Sequence, residues 1–186
     1  NEEFTLDNLS QQRRQQQFDI VHLATHAAFP LNGSQSPYLQ MWDTRVGFDE
    51  LRQVQWYASP SVQLLVLSAC ETALGNEKAE MGFAGLAVQA GVKSALASLW
   101  QVDDLGTLTL MTEFYHQLSI EKVSIKAEAL RQAQIAMLRS QVRVESGQIT
   151  RGGINIKLPQ AAATWPDRDL SHPYYWAGFT IIGSPW

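Results

Sequence analysis

The single cysteine of the chain, Cys70, ends the apolar run VQLLVLSAC, and His26 ends another, FDIVHLATH. A thiol beside an imidazole can become a nucleophile, because the imidazole and the backbone amides of a turn favour thiolate. Both runs read as strands, and they are far enough apart in sequence for one crossover between neighbouring parallel strands. In open α/β sheets, sites form outside the carboxyl ends of the strands. Parallel pairing would therefore bring thiol and imidazole to one sheet edge, where the turn after Cys70 can offer amide donors for an oxyanion hole. Composition alone favours a plainer reading, in which a lone cysteine at a strand end is a small buried hydrophobe. The spacing by itself does not decide between the two.

The elements that would position these residues follow from hydrophobic periodicity. The opening NEEFTLDNLSQQRRQQQ is polar, with Phe4, Leu6 and Leu9 spaced as one face of a short helix and a Gln/Arg-rich end that reads as solvated. FDIVHLATH, with β-branched Ile20 and Val21, is nearly continuous in its apolar run, as in a strand covered on both faces. A polar stretch from Pro30 to Pro37 follows, and GFDELRQV supplies a short helical turn. VQLLVLSAC is the strongest strand signal and stops at the small and polar ETALGNEKAEMG. GFAGLAVQAGV, carrying Gly82, Ala84, Gly85, Ala87, Ala90 and Gly91, reads as a helix with a small face against a sheet, and SALASLW as a further strand. Leu108, Met111, Phe114, Tyr115 and Leu118 have helical spacing. So do Ala127, Leu130, Ala133, Met137 and Leu138, in a second helix from about Ser124 to Arg143.

From Val144 to His172 the pattern fails, with Gly152-Gly153, Pro159 and Pro166 in a long irregular connection of the kind that is usually functional or mobile. Within it INIKLP reads as a short edge strand, and FTII near the end as a last buried strand. The alternation of strands and helices predicts an α/β fold on a parallel sheet.

Bulk properties narrow the classes. The 186 residues suffice for one domain with a sizeable core and are too few for two comfortable ones. With 45% hydrophobic and 17% charged residues the composition is globular. A net charge of −4 argues against a nucleic-acid footprint. The apolar runs are too short to span a bilayer, and no secretory signal is visible, so neither nucleic acid nor membrane is expected as a partner. One cysteine excludes an internal disulfide framework and a four-cysteine zinc site, and fits a cytoplasmic location.

HLATHAAF, LLVLSACETALG, GFAGLAVQAGVKSALASLWQVDD and HPYYWAGF, in that order, make the chain resemble the CHAT domain family, caspase-related proteins of bacteria often joined to tetratricopeptide repeats. The resemblance runs from about Phe18 to Gly183 and is weakest in the polar stretch before His172. It implies a caspase-haemoglobinase fold, a mostly parallel sheet flanked by helices on both faces, with a His–Cys dyad carried onto His26 and Cys70. It implies no cofactor, protein or peptide substrates, and tetratricopeptide or other regulatory domains in the same or another chain as partners. It also implies an earlier strand that would precede Asn1, so that residues 1–186 form a single protease domain lacking its N-terminal part. More distantly, SLWQVDD is similar to the equivalent stretch of separases, relatives that cleave after arginine. The family commonly has Gly after the dyad histidine, lending its N–H to the oxyanion hole. Here that residue is Ala27, which can serve at negative φ and fails if the site needs positive φ.

The expected reaction is peptide hydrolysis through a thioester. Cys70 attacks the carbonyl, backbone N–H groups near Ala27 and Cys70 hold the oxyanion, and His26 promotes the thiolate or protonates the leaving amine. Glu71 orients the loop or binds substrate backbone, with a helix-entry carboxylate as the equal alternative. Asp103 and Asp104 are candidates for a pocket that takes a substrate Arg or Lys, though either could instead cap the helix beginning near Leu105. Trp100 walls that pocket or merely packs. His22 shares a strand face with His26, but H-L-A-T-H lacks the Glu of a zinc helix, so His22 reads as structural and no metal is expected. His116 and His172 read as structural too. Ser68 and Thr72 flank Cys70 outside any G-x-S-x-G elbow, against a serine hydrolase. The chain thus reads as a cysteine endopeptidase cleaving after a basic residue. Its main rival is a latent or non-catalytic scaffold or sensor acting through protein–protein contacts. A thioredoxin-like enzyme would want C-x-x-C. A nucleotide-binding loop would want the Lys-Ser/Thr ending that GFAGLAVQAG lacks.

Overall fold

The computed structural model describes residues 1–28, 36–57, 61–68, 83–120, 125–152, 154–160, 162 and 165–186, the side chains of Phe48, Phe83 and Leu86 excepted. The chain forms two compact units, residues 1–101 with 179–185, and residues 102–178 with Trp186.

The first unit is built on a four-stranded sheet of β1 (Ile20–Leu23), β5 (Leu64–Leu67), β6 (Ser94–Ser98) and β10 (Phe179–Gly183), in the order β1-β5-β6-β10. β1 and β6 both run parallel to β5, and β10 runs antiparallel to β6. The expected α/β architecture, a mostly parallel sheet flanked by helices, is the one observed. LLVL and SALAS occupy the centre because every residue in them is apolar or small, and all are buried. Of the two buried serines in SALAS, Ser94 donates its hydroxyl to Gln63 O at 2.7 Å. Leu23, Leu65, Leu67, Ala95 and Ala97 share one face and join a core with Ala84 and Ala87 of α3 (Phe83–Gln89), against which Leu6 and Leu9 of α1 (Leu6–Gln15) pack. Gly91 turns the chain from α3 toward β6 at φ +106, where an added Cβ would lie 2.5 Å from Tyr57 Cβ. No other residue type fits both the left-handed backbone and that approach.

Three expectations in this unit need correction. FDIVHLATH is not a strand covered on both faces: β1 is four residues long, stands at the end of the sheet order, and leaves Ile20 40% exposed. Nor does it reach His26. The Thr25 hydroxyl donates to Gln40 O, and Gln40 N donates to His26 O at 2.8 Å. These bonds draw the chain into a small antiparallel sheet of β2 (Ala27–Ala28), β3 (Tyr38–Gln40) and β4 (Arg45–Val46). The Gln/Arg end of α1 is not wholly solvated, because Arg13 is buried. FTII does form a strand, but as an edge strand it buries only Phe179 fully. GFDELRQV supplies the expected short helix, α2 (Phe48–Arg52).

In the second unit α4 (Asp104–Ser119) packs on α5 (Lys126–Leu138). Met111 and Phe114 are buried as their spacing predicts, as are Leu130, Ala133 and Met137. α5 stops short of the expected Arg143: Ser140 adopts φ 50 and the chain turns into a strand. The stretch from Val144 to His172 is irregular only in its second half, where the described residues between Lys157 and His172 form no helix or strand. The first half is an antiparallel meander of β7 (Val142–Glu145), β8 (Gln148–Arg151) and β9 (Ile154–Lys157). Ser146 and Gly147 join β7 to β8 with φ 51 and 70, the paired positive values that a tight hairpin turn requires. INIK is the edge strand predicted for it, exposed at every residue.

Candidate functional site

His26 lies in the link from β1 to β2, its backbone carbonyl bonded to Gln40 N and its side chain exposed. Ala27 pairs with Leu39. Because Gln40 N bonds to His26 O, Ala27 and Leu39 form a non-hydrogen-bonded pair, in which the Ala27 N–H points away from β3. The ladder therefore does not use this donor. Among the described non-glycine residues only Gln55, Ser140 and Ser146 have positive φ, so Ala27 meets the condition under which alanine can replace glycine there. Cys70 and Glu71, like Thr72, lie outside the described residues.

β1 and β5 are direct parallel neighbours, with His22 opposite Val66. Ser68 lies two residues beyond Val66 on the same face, and its Oγ is 2.7 Å from His22 Nε2. His22, expected to be structural, thus has a defined polar partner next in the chain but one before Cys70. Part of His22 stays exposed, but the packing around it lowers its pKa from the ordinary 6.5 by desolvation. With the folded value below the unfolded one, the unfolded chain takes the proton first as pH falls. The stability linked to this group is complete above pH 6.5 and declines as pH drops toward the folded pKa. Urea titrations at pH 7 and pH 5 should show wild type losing more stability than His22→Gln. Equal losses would mean that the ring is not desolvated in the folded protein.

Asp103 is the N-cap of α4. One carboxylate oxygen accepts from Gly106 N at 2.9 Å and the other from Arg168 Nη1 at 2.9 Å. The capping role that sequence left open thus falls to Asp103, and a guanidinium of the chain itself already sits on this carboxylate. Asp104 is exposed in the first turn of α4, where a negative charge is favoured by the helix dipole. Trp100 follows β6 and is half-buried. His116 lies in α4, and His172 Nδ1 accepts from Tyr174 N at 3.2 Å, capping a short 3-10 turn.

A groove of about 590 Å³ in the second unit is lined by Arg143, Glu145, Asp167, Arg168 and Asp169, and by none of the expected site residues. Among the described residues no three His, Cys, Asp or Glu side chains gather as a metal site, and no helix is long and apolar enough to cross a membrane. The pairing of His22 with Ser68 and the bond from Arg168 to Asp103 were not foreseen. The former follows from strand register and the latter joins residues far apart in sequence.

No curated protein matches the chain. The family model of the CHAT domain matches residues 1–184, essentially the whole length. The chain belongs to the CHAT domain family, which is associated with caspase-like cysteine peptidases.

Proposed function

We propose that the protein is a cysteine endopeptidase in which Cys70 attacks the scissile carbonyl and His26 serves as its acid–base partner. The observation that carries this reading is the parallel pairing of β1 with β5, because each of these neighbouring strands leads, within a few residues, to one member of the pair. The Ala27 N–H, turned away from β3, is the donor available to an oxyanion. The thioester formed on Cys70 is released by water, with His26 accepting its proton.

For specificity, the proposal is cleavage after a basic residue held by Asp103, with Asp104 and Trp100 contributing and Glu71 binding substrate backbone. The bond from Arg168 supports it by showing that this carboxylate accepts a guanidinium. The test is a panel of peptides with Arg or Asp at the cleaved position. Asn caps helices as well as Asp does, so Asp103→Asn removes the charge while retaining the cap. Asp103→Asn is expected to lower kcat/KM for Arg peptides about 10- to 100-fold, in line with a charge-assisted hydrogen bond of ~1.5–3 kcal/mol. Asp103→Ala would also lose the cap, about 1 kcal/mol of stability. If neither Asp103→Asn nor Asp104→Asn alters cleavage after Arg, the pocket assignment is wrong.

A second reading, a latent CHAT module that acts through protein contacts until a regulatory domain rearranges it, is favoured by the same Arg168 bond. It leaves Asp103 satisfied within the chain.

A further inference from the structure

The ladder between β1 and β5 ends at the pair Leu23 and Leu67. Beyond that pair the sequence continues from β1 to His26 and from β5 to Cys70. Among the described strands the short β1 pairs with β5 alone, and past Leu23 the chain is held by the bonds of Thr25 and His26 to Gln40. At this end of the ladder His22 Nε2 and Ser68 Oγ meet at 2.7 Å. His22 is four residues before His26, and Ser68 two before Cys70.

We infer that His22 and Ser68 are a positioning pair for the reaction proposed above, tying together the strand ends that carry the imidazole and the thiol. The inference rests on that reading of His26 and Cys70. Its physical content is preorganisation. Nucleophile and base must be held within a fraction of an ångström, and a misplacement of about 1 Å can cost on the order of 100-fold in rate. Leu23, whose side chain alternates with that of His22, is buried in the core and anchors β1 from the opposite face. The hydrogen bond adds a side-chain tie between the ends of β1 and β5 to their backbone ladder. Burial lowers the pKa of His22, so the imidazole is neutral at neutral pH and can donate to or accept from the hydroxyl. Neither residue touches substrate in this scheme, and neither is a nucleophile. Ser68 acts by anchoring the chain just before Cys70.

The test is the rate at which a peptide acyloxymethyl ketone ending in Arg alkylates Cys70 of the full-length protein, the thiolate displacing the probe's carboxylate to form a thioether, read as kinact and KI separately. The variants are His22→Phe, His22→Gln, Ser68→Ala, Ser68→Thr, and the double variant His22→Phe/Ser68→Ala. Each is assayed at a temperature where its melting curve shows it folded, so that loss of stability does not enter the rate. His22→Phe and Ser68→Ala are each expected to lower kinact about 10- to 100-fold with KI unchanged. The double variant is expected to be no slower than the slower single, because both singles break the same bond. His22→Gln, whose amide reaches near the Nε2 position, and Ser68→Thr are expected to restore most of the rate. Wild-type rates in all folded variants would overturn the inference while leaving the peptidase reading intact, as would additive losses. Hydrolysis that survives Cys70→Ala and disappears in Ser68→Ala would overturn it in favour of Ser68 as nucleophile. A wild-type protein that the probe does not alkylate would overturn both.

Discussion

His26→Ala is expected to lower kcat/KM for peptide hydrolysis by about 10²- to 10⁴-fold, the usual contribution of a positioned acid–base group, with a melting temperature close to wild type. The separation of the two effects follows from the structure. The imidazole is exposed, while the bond that holds this segment, Gln40 N to His26 O, belongs to the backbone and survives the substitution. Exposed side chains outside structural networks change stability by about 0.5 kcal/mol or less. Ala27→Gly, which restores the residue usual in the family, is expected to retain activity, because either residue presents the same N–H. Paired measurements of kcat/KM and thermal unfolding check both statements. A His26→Ala variant that unfolds many degrees earlier would mark the histidine as structural, and one with wild-type turnover would remove it from the mechanism.

The largest loss of stability is expected from Arg151→Ala. Glu113, on α4, is 1% exposed, and Arg151 Nε on β8 meets it at 2.5 Å while Gln117 Nε2 donates to its other oxygen at 2.6 Å. Removing the arginine leaves a carboxylate buried with only a neutral partner, which costs about 3–5 kcal/mol. Glu113→Ala should cost less, about 2–3 kcal/mol, because the guanidinium it strands is 32% exposed and can turn to water. Replacing both together, as Glu113→Leu with Arg151→Met, is expected to recover much of the loss, since the desolvation of the pair disappears with it. Urea denaturation of the three variants measures the order. Equal small losses in both single variants would mean that water reaches Glu113 in solution.

The central strands and α4 were legible in the sequence because their burial leaves an unbroken signal: LLVL and SALAS carry no exposed residue, and the α4 spacing holds over several turns. The β7–β9 meander was not. Its strands are four residues each, its first turn is Ser146-Gly147 where Asn-Gly or Asp-Gly would have announced a hairpin, and Gly152-Gly153 reads as a loop between two strands as readily as within one. α5 was read too long because Ser140 in a left-handed conformation has no sequence signal of its own.

At the site, the residue types and the motif order pointed to His26 and Cys70 without a structure. Asp103 did not resolve, because an aspartate ahead of a helix looks the same in sequence whether it caps, binds an arginine or, as here, does both. The partnership of His22 with Ser68 depends on the register His22 to Val66, and a one-residue slip, which the short run IVHL permits on paper, would turn His22 to the other face.

The most direct test of the central claim is covalent labelling of the full-length protein by peptide acyloxymethyl ketones ending in Arg or in Asp, with the modified residue located by mass spectrometry. The expected result is a single adduct on Cys70 from the Arg probe, absent in Cys70→Ala and slowed in His26→Ala. An adduct from the Asp probe alone would keep the peptidase and remove the basic pocket, whereas an adduct on no residue, or on any residue but Cys70, would contradict the dyad.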